Sequence, residues 1–135
     1  MSSKQIRYII FFLLGFSIIY IIFDSTSQPN VNDLKGDFKE VTVYRNQNNT
    51  GPIVRVYAVT VKDSLWGEME KYGELMPYTK YGSTTVYFFQ EGKPVPKELV
   101  AGENKFDISI KQNCFAQYNK DANGQVSLIK NPFKQ

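Results

Sequence analysis

Residues 53–62 read IVRVYAVTVK, a run in which β-branched side chains predominate. Such residues are enriched in strands because their branched side chains pack well on a pleated surface. Successive residues of a strand point to opposite faces of the sheet, and both alternating sets in this run are largely apolar. We therefore predict a strand that is covered on both faces and lies inside a sheet.

The segments on either side of this strand predict a hairpin and a helix. Residues 40–46 (EVTVYRN) are strand-like, and the turn formers that follow connect them to the central strand as an antiparallel pair. In 63–76 the apolar residues recur at helical spacing, and Pro77 ends the pattern. We expect Asp63 or Ser64 to cap the helix, because its side-chain oxygen can accept a backbone N–H. The apolar stripe consists of Leu65, Met69, Tyr72 and Met76.

The remainder of the chain predicts further strands. They cover 84–90, 106–111, 113–119 and 125–130. Alternation in FDISIK places Phe106, Ile108 and Ile110 on the inward face. Asn123 and Gly124 predict a type I′ turn between the last two strands. The order ββαββββ predicts an α+β domain with a mostly antiparallel sheet of about six strands and one packed helix. A small open barrel of the same strands is the alternative.

An almost wholly apolar run lies near the amino terminus. Residues 8–23 (YIIFFLLGFSIIYIIF) contain no charge. A hydrocarbon core of ~30 Å takes about 20 helical residues, with a lower limit near 17. Ile6 lengthens the run, and Arg7 can extend its charge to the headgroups. The segment therefore predicts a transmembrane helix, through which the chain contacts the membrane.

The charges flanking this run predict its orientation. Lys4 and Arg7 precede the apolar residues and Asp24 follows them. The positive-inside rule then places the amino terminus in the cytoplasm. The predicted organisation is a cytoplasmic N-terminus in 1–7, a transmembrane signal anchor in 8–23, a linker in 24–39 and an extracytoplasmic domain in 40–135.

A cleaved signal peptide is the alternative, and it would release a secreted or periplasmic domain. The basic start fits a signal peptide, but the apolar region is long and the small-residue candidate, 25–27 (STS), contains no alanine. A lipoprotein is excluded because the acylated cysteine would directly follow the apolar region, whereas the only cysteine is Cys114.

Composition limits the class of partner. The chain has 16 basic and 13 acidic residues, and two of the basic ones precede the apolar run, so the rest is nearly neutral. No stripe of Lys and Arg is present, and we predict no nucleic-acid partner. A single cysteine cannot form an internal disulfide. We expect Cys114 to be a small buried residue beside Ala116 and Tyr118, with an intermolecular disulfide as the alternative.

Most catalytic constellations are excluded. The sequence has no histidine, which removes Ser-His-Asp and Cys-His nucleophile systems and His-ligated zinc. It also lacks the glycine-rich phosphate-binding motifs. We predict no cofactor and no enzymatic activity.

Three weaker motifs have simpler interpretations. Glu70 and Glu74 are four apart on the predicted helix and form a solvated pair. Residues 119–124 (NKDANG) match the start of a calcium loop, but Lys130 stands where the bidentate Glu is required, so we expect a plain hairpin. Residues 48–50 (NNT) match a glycosylation acceptor, and we attribute the match to chance in an Asn-rich turn.

The candidate site consists of three aromatic residues that the predicted core leaves unexplained. Trp66, Tyr78 and Tyr81 lie in or just after the helix. Aromatic rings with polar tips suit protein contacts. Local packing at the edge of the core is the competing interpretation for each.

These observations favour a non-enzymatic, membrane-anchored binding or assembly module that contacts a protein partner or self-associates. A small carboxylate-dependent hydrolase, for example one directed at glycans, is the alternative. Its acids would be Asp107 and either Glu70 or Glu74, which must lie about 5–9.5 Å apart across a groove.

Overall fold

The computed structural model describes residues 1–27, 29–46, 51–102 and 105–134. Its elements, in chain order, are α1 (Ser3–Thr26), a 3₁₀ turn (Val31–Asp33), β1 (Lys39–Arg45), β2 (Val54–Val61), α2 (Trp66–Leu75), β3 (Ser83–Gln90), α3 (Ile108–Lys111), β4 (Cys114–Lys120) and β5 (Val126–Lys130). The α+β class is confirmed: an amino-terminal apolar helix precedes a five-stranded sheet with one packed helix, α2. The strand number is one fewer than predicted.

The sheet has the strand order β1-β2-β3-β4-β5. All neighbours are antiparallel except β2 and β3, which run parallel because α2 forms the crossover between them. Over the described residues β1 and β5 are unpaired on their outer sides. The sheet is therefore open, and the barrel alternative is wrong.

The two faces of the sheet bury separate clusters. The helix-side cluster consists of Tyr57, Val59, Val61, Met69, Tyr72, Val86, Phe88, Ala116 and Tyr118. The loop-side cluster, covered by the segment between β3 and β4, consists of Val56, Ala58, Tyr87, Phe89, Leu99, Phe106 and Cys114. Strand β2 contributes to both clusters, which confirms the prediction that it is covered on both faces. The interior strands therefore hold the domain together from two sides.

The missing strand is the predicted one at 106–111, which instead forms the short helix α3. The Asp107 carboxylate accepts hydrogen bonds from the backbone N–H and the hydroxyl of Ser109, both at 2.9 Å, and so begins a helical turn. Phe106 is buried and Ile110 packs partly buried against the loop-side cluster, but Ile108 is 69% exposed, so the predicted inward position is wrong for Ile108.

The turn between β4 and β5 also differs from the prediction. The hairpin is present, but only Gly124 has a positive φ, of 79°, so the turn is not type I′. The Asp121 carboxylate accepts the backbone N–H groups of Asn123 and Gln125, both at 2.9 Å. These bonds shape a wider turn than the dipeptide signal implied.

A β-bulge in β4 changes the environment of Cys114. Phe88 pairs with Ala116 and Phe89 pairs with Cys114, so Phe115 is an extra residue. The bulge puts Cys114 on the loop side, whereas Ala116 and Tyr118 are on the helix side. Cys114 is buried as predicted, but among different neighbours.

Part of the predicted linker packs on the domain. Val31, Leu34 and Phe38 lie against the helix-side cluster. The Phe38 ring stacks on Tyr72 with centroids 4.8 Å apart, and the backbone N–H of Lys35 donates to the Glu68 carboxylate at 3.0 Å. We call residues 31–38 the strap. Only four residues separate the strap from the end of α1.

Helix α1 is long and apolar enough to cross a membrane, with a mean hydropathy of 2.3 over its most apolar window. At 1.5 Å per residue, its 24 residues extend about 36 Å. Every residue of α1 is described, and none is buried in the domain. The helix is longer than 8–23 because polar residues at both ends continue it, beginning with a capping box between Ser2 and Gln5.

Helix α2 begins later than predicted and lies very close to the sheet. Leu65 occupies the N-cap position without a side-chain hydrogen bond, so the predicted cap at Asp63 or Ser64 is wrong. Met69 and Tyr72 of the predicted stripe are buried. A Cβ at Gly73 would overlap the ring carbons of Tyr118, whereas a Cβ at Gly67 would meet nothing within 4 Å. The close contact with Tyr118 therefore requires glycine at position 73, whereas no contact requires it at position 67.

Alanine at these two glycines is predicted to act with opposite sign. Gly73→Ala forces helix and sheet apart and should lower the free energy of unfolding by about 1–3 kcal/mol. Gly67→Ala should raise it by up to about 1 kcal/mol through helix propensity. Urea unfolding of a fragment comprising residues 29–135, followed by the fluorescence of Trp66, measures both. Equal effects of the two substitutions would contradict the close approach at Gly73.

Candidate functional site

Trp66 is the first residue of α2 and lies over the outer part of the sheet. Its half-buried indole meets the Phe115 ring edge to face with centroids 5.9 Å apart. The Lys130 ammonium of β5 lies 4.7 Å from the centre of the indole. The bulge at Phe115 supplies the first contact, and the second is a cation–π interaction. Trp66 is thus fixed by local packing but keeps part of its surface accessible.

Tyr78 lies beyond the other end of α2. Its hydroxyl donates a 2.7 Å hydrogen bond to the carbonyl oxygen of Asp121, and the Lys120 ammonium lies 4.3 Å from the centre of its ring. Helix α2 extends about 15 Å between Trp66 and Tyr78. The two rings therefore mark opposite ends of one side of the helix and do not form a single patch.

Tyr81 is the most exposed of the three candidates, with 66% of its surface accessible. It adopts a φ of 69°, which is uncommon for a tyrosine. The turn around it is closed by a 2.8 Å bond from the Gly82 N–H to the Thr79 carbonyl. The Lys80 ammonium lies 5.1 Å from its ring centre. Core packing does not account for this side chain.

The structure adds an element to the site that sequence reasoning missed, namely strand β5. Val126, Leu128 and Lys130 pair with Lys120, Tyr118 and Ala116 and so lie on the helix side of the sheet. Val126 is 39% exposed, and Leu128 is half-buried. Helix α2 contacts β3 and β4. A strip of β5 beside it therefore stays open.

Two carboxylates of α2 face the same strip. At 100° per residue, Glu70 and Glu74 lie on the side of the helix that bears Trp66. The pKa of the Tyr118 phenol is raised by burial first, and then by the negative charges of Glu74 and Glu70, which fits this placement. No ion pair involves either carboxylate within the described ranges. We call the strip between α2 and β5 the open flank; its residues are Trp66, Glu70, Glu74, Val126, Leu128 and Lys130.

The acids of the hydrolase alternative are not brought together. Asp107 lies on the loop side, next to Phe106, whereas Glu70 and Glu74 are on the helix side. Hydrogen bonds from the Ser109 N–H and hydroxyl hold the pKa of Asp107 below its ordinary value, which keeps it ionised rather than a proton donor. Across the described residues, no group of three His, Cys, Asp or Glu side chains could hold a metal ion.

The other two motifs have plain outcomes. Residues 121–124 of the calcium-loop match lie in the β4–β5 turn, in which the Asp121 carboxylate accepts backbone N–H groups. The glycosylation match at 48–50 lies outside the described residues.

A concave surface also exists on the loop side. A groove of about 670 Å³ has Val95, Phe106 and Ile110 at its apolar base. Its lining also contains charged residues of both signs, namely Lys93, Lys97, Lys105, Glu98 and Asp107. Because both signs are present, the groove does not present one charge to a ligand.

The chain was also compared with known proteins. Neither the family models, nor the curated proteins, nor the solved structures gave a significant match.

The buried thiol and phenols of the core predict alkaline sensitivity. Burial raises the pKa of Cys114 from 9.0 to about 12, and those of Tyr72 and Tyr87 from 10.0 to about 12. Between these values the unfolded chain releases protons that the folded chain retains, so rising pH favours unfolding. The contribution of these groups to the free energy of unfolding should be fully present below about pH 9 and should decline from there towards pH 12.

The urea midpoint, measured at intervals between pH 8 and 11, tests this expectation. Cys114→Ala is the control. The urea midpoint of this variant should fall less steeply and begin to fall nearer pH 10, because only the buried tyrosines remain to be deprotonated. A constant midpoint to pH 11, or a native thiol that reacts with iodoacetamide at pH 9 as fast as the unfolded one, would contradict this account.

Proposed function

We propose that this chain is a single-pass membrane protein whose carboxy-terminal domain acts outside the cytoplasm as a non-enzymatic binding or assembly module. The observation on which the proposal depends is α1, an apolar helix of 24 residues with no buried residue, joined to a folded domain by four residues. Water does not solvate such a helix favourably, whereas a bilayer does.

The short connection supports an anchor that positions the domain. Four extended residues reach about 14 Å, and the strap that follows is bound to α2 through Phe38 and Glu68. The domain is therefore held close to the membrane surface. Lys4 and Arg7 before the helix and Asp24 at its end favour a cytoplasmic amino terminus.

The open flank and Tyr81 support protein binding. The flank combines a partly accessible indole, two carboxylates without an ion-pair partner in the described part of the chain, and apolar side chains of an outer strand. Aromatic anchors beside polar groups are the usual composition of protein interfaces. The placement of Asp107 on the loop side and of Glu70 and Glu74 on the helix side supports a binding module over the hydrolase alternative.

The proposal is tested on the full chain with a carboxy-terminal tag, expressed in its own host. Alkaline carbonate washing should leave the intact polypeptide in the membrane pellet, with the amino-terminal residues still present. Protease added from the non-cytoplasmic side should digest the domain. A full-length chain in the supernatant, or a mature chain that starts after residue 24, would contradict anchoring.

Binding is tested in the same membranes by co-purification after solubilisation. Trp66→Ala and Tyr81→Asn should reduce recovery of the bound protein several-fold, since each removes an accessible ring. Asn tolerates the positive φ of residue 81. Val43→Ala, a change at a 48% exposed position of β1, is the control. Unchanged recovery with both aromatic variants would remove the aromatic site.

A further inference from the structure

The two outer strands of the sheet differ in how they are protected. Strand β1 has charged residues at both ends, Lys39, Glu40 and Arg45, and a bulge between Glu40 and Thr42. Charges and bulges are the devices that keep an exposed strand edge from pairing with another chain. Strand β5 (VSLIK) contains a single charge, Lys130, and its ammonium is turned onto the indole of Trp66 at 4.7 Å.

The outward hydrogen-bonding groups of β5 can be assigned from the ladder. The Asn131 N–H donates to the Phe115 carbonyl at 2.8 Å, and the Asp121 N–H donates to the Gln125 carbonyl at 3.0 Å. In an antiparallel pair, bonded positions alternate, so residues 125, 127, 129 and 131 bond to β4. The backbone groups of 126, 128 and 130 therefore point to the outer edge.

The carboxy-terminal residues leave this edge open. Pro132 has no N–H to continue the strand. Phe133 turns onto the loop side, where its ring lies 5.9 Å from Tyr87 and 5.6 Å from Phe106 between centroids. Phe133 therefore packs against the loop-side cluster. No described residue covers the outer edge of β5.

We infer that β5 pairs with β5 of a second copy of this chain, antiparallel and edge to edge, to form a continuous ten-stranded sheet. The inference rests on the proposed membrane-anchored binding function and names its partner. The hydrogen-bond alternation allows only registers in which even-numbered residues oppose each other, and the register centred on Leu128 is the one that pairs all five residues of β5. Leu128 lies opposite Leu128 of the partner subunit, Val126 opposite the partner's Lys130, and Ser127 opposite the partner's Ile129.

This register is compatible with both the charges and the exposed apolar side chains of β5. It places no like charges opposite each other, and it covers Val126 and Ile129, which are 39% and 47% exposed. The equivalent pairing of β1, centred on Thr42, would place Lys39 opposite the partner's Arg45, an unfavourable cross-strand pair. Self-association is therefore favoured at β5 and disfavoured at β1.

The direction of the anchors agrees with this arrangement. Antiparallel pairing of identical edges places the two-fold axis perpendicular to the sheet. The helix sides of both copies then face the same way. The strap packs on the helix side, so both chains leave towards the same surface, and both anchors can enter one bilayer.

The membrane also supplies what a short interface lacks. Two five-residue strands bury much less than the roughly 1,600 Å² of a standard interface. Confinement of both chains to one membrane raises their effective concentration without any new contact. Pairing is accordingly expected in the membrane and not for a dilute soluble domain.

Disulfide trapping in the membrane tests the register. The full chain, with Cys114→Ala and Leu128→Cys, is oxidised by copper phenanthroline in its native membrane. Opposed Cα atoms about 5.5 Å apart lie within disulfide reach. Covalent dimer should form at least about fivefold more than with the matched control Val126→Cys, whose two copies would be roughly 14 Å apart.

A second pair of variants guards against a folding defect at the half-buried Leu128. Chains with Ser127→Cys and chains with Ile129→Cys, both exposed positions, are co-expressed and oxidised. They should form the mixed dimer, and neither alone should cross-link comparably. Absence of dimer from Leu128→Cys and from the mixed chains overturns the inference, as does preferential cross-linking of Val126→Cys. Carbonate washing of the same membranes reports separately on the proposed anchoring.

Discussion

Helix α2 lies directly on the ring of Tyr118, and this approach is possible because residue 73 has no side chain. The contact sets the lateral position of the helix over β3 and β4. It leaves room beside the helix for the strap on one side and exposes β5 on the other. The Tyr118 hydroxyl makes no hydrogen bond to any described group. Burial of this hydroxyl without a partner is unfavourable, and the tight packing of α2 on the sheet offsets that cost.

The strap fixes the segment that follows α1 onto the folded domain. The Lys35 N–H binds the Glu68 carboxylate near the start of α2 and is the main reason that the pKa of Glu68 is lowered. The Gly36 carbonyl accepts the Lys62 N–H at 2.9 Å, just after β2. Phe38 then stacks on Tyr72. These contacts connect the segment that follows α1 to the same helix that borders the open flank.

The elements with strong periodicity were predictable from sequence, and those set by single side chains were not. The IVRVYAVTVK run and the stripe through Met69 and Tyr72 identify β2 and α2, because long apolar patterns outweigh local effects. The alternation at 106–111 covers only six residues. The hydrogen bond that the Asp107 carboxylate accepts from the Ser109 N–H outweighs it and favours a helical turn. The bulge that moves Cys114 to the other face has no sequence signal, because Cys114, Ala116 and Tyr118 also fit the alternation of a regular strand.

The candidate site was predictable only in part, for a related reason. Trp66, Tyr78 and Tyr81 could be identified as aromatic residues that the core did not require. The role of β5 depends on strand order, because an outer strand and an inner strand can have the same composition. That the Lys130 ammonium lies over Trp66 depends on the placement of α2. The β5 residues of the open flank can therefore be identified only once the strand order is known.

Nuclear Overhauser measurements on the folded domain test the helix–sheet contact most directly. The account predicts strong cross-peaks between the Hα protons of Gly73 and the ring protons of Tyr118, with the Gly73 protons displaced upfield by the ring current. Gly73 protons at ordinary shifts, without cross-peaks to Tyr118, would show that α2 lies elsewhere on the sheet, and the strap and the open flank would lose their basis.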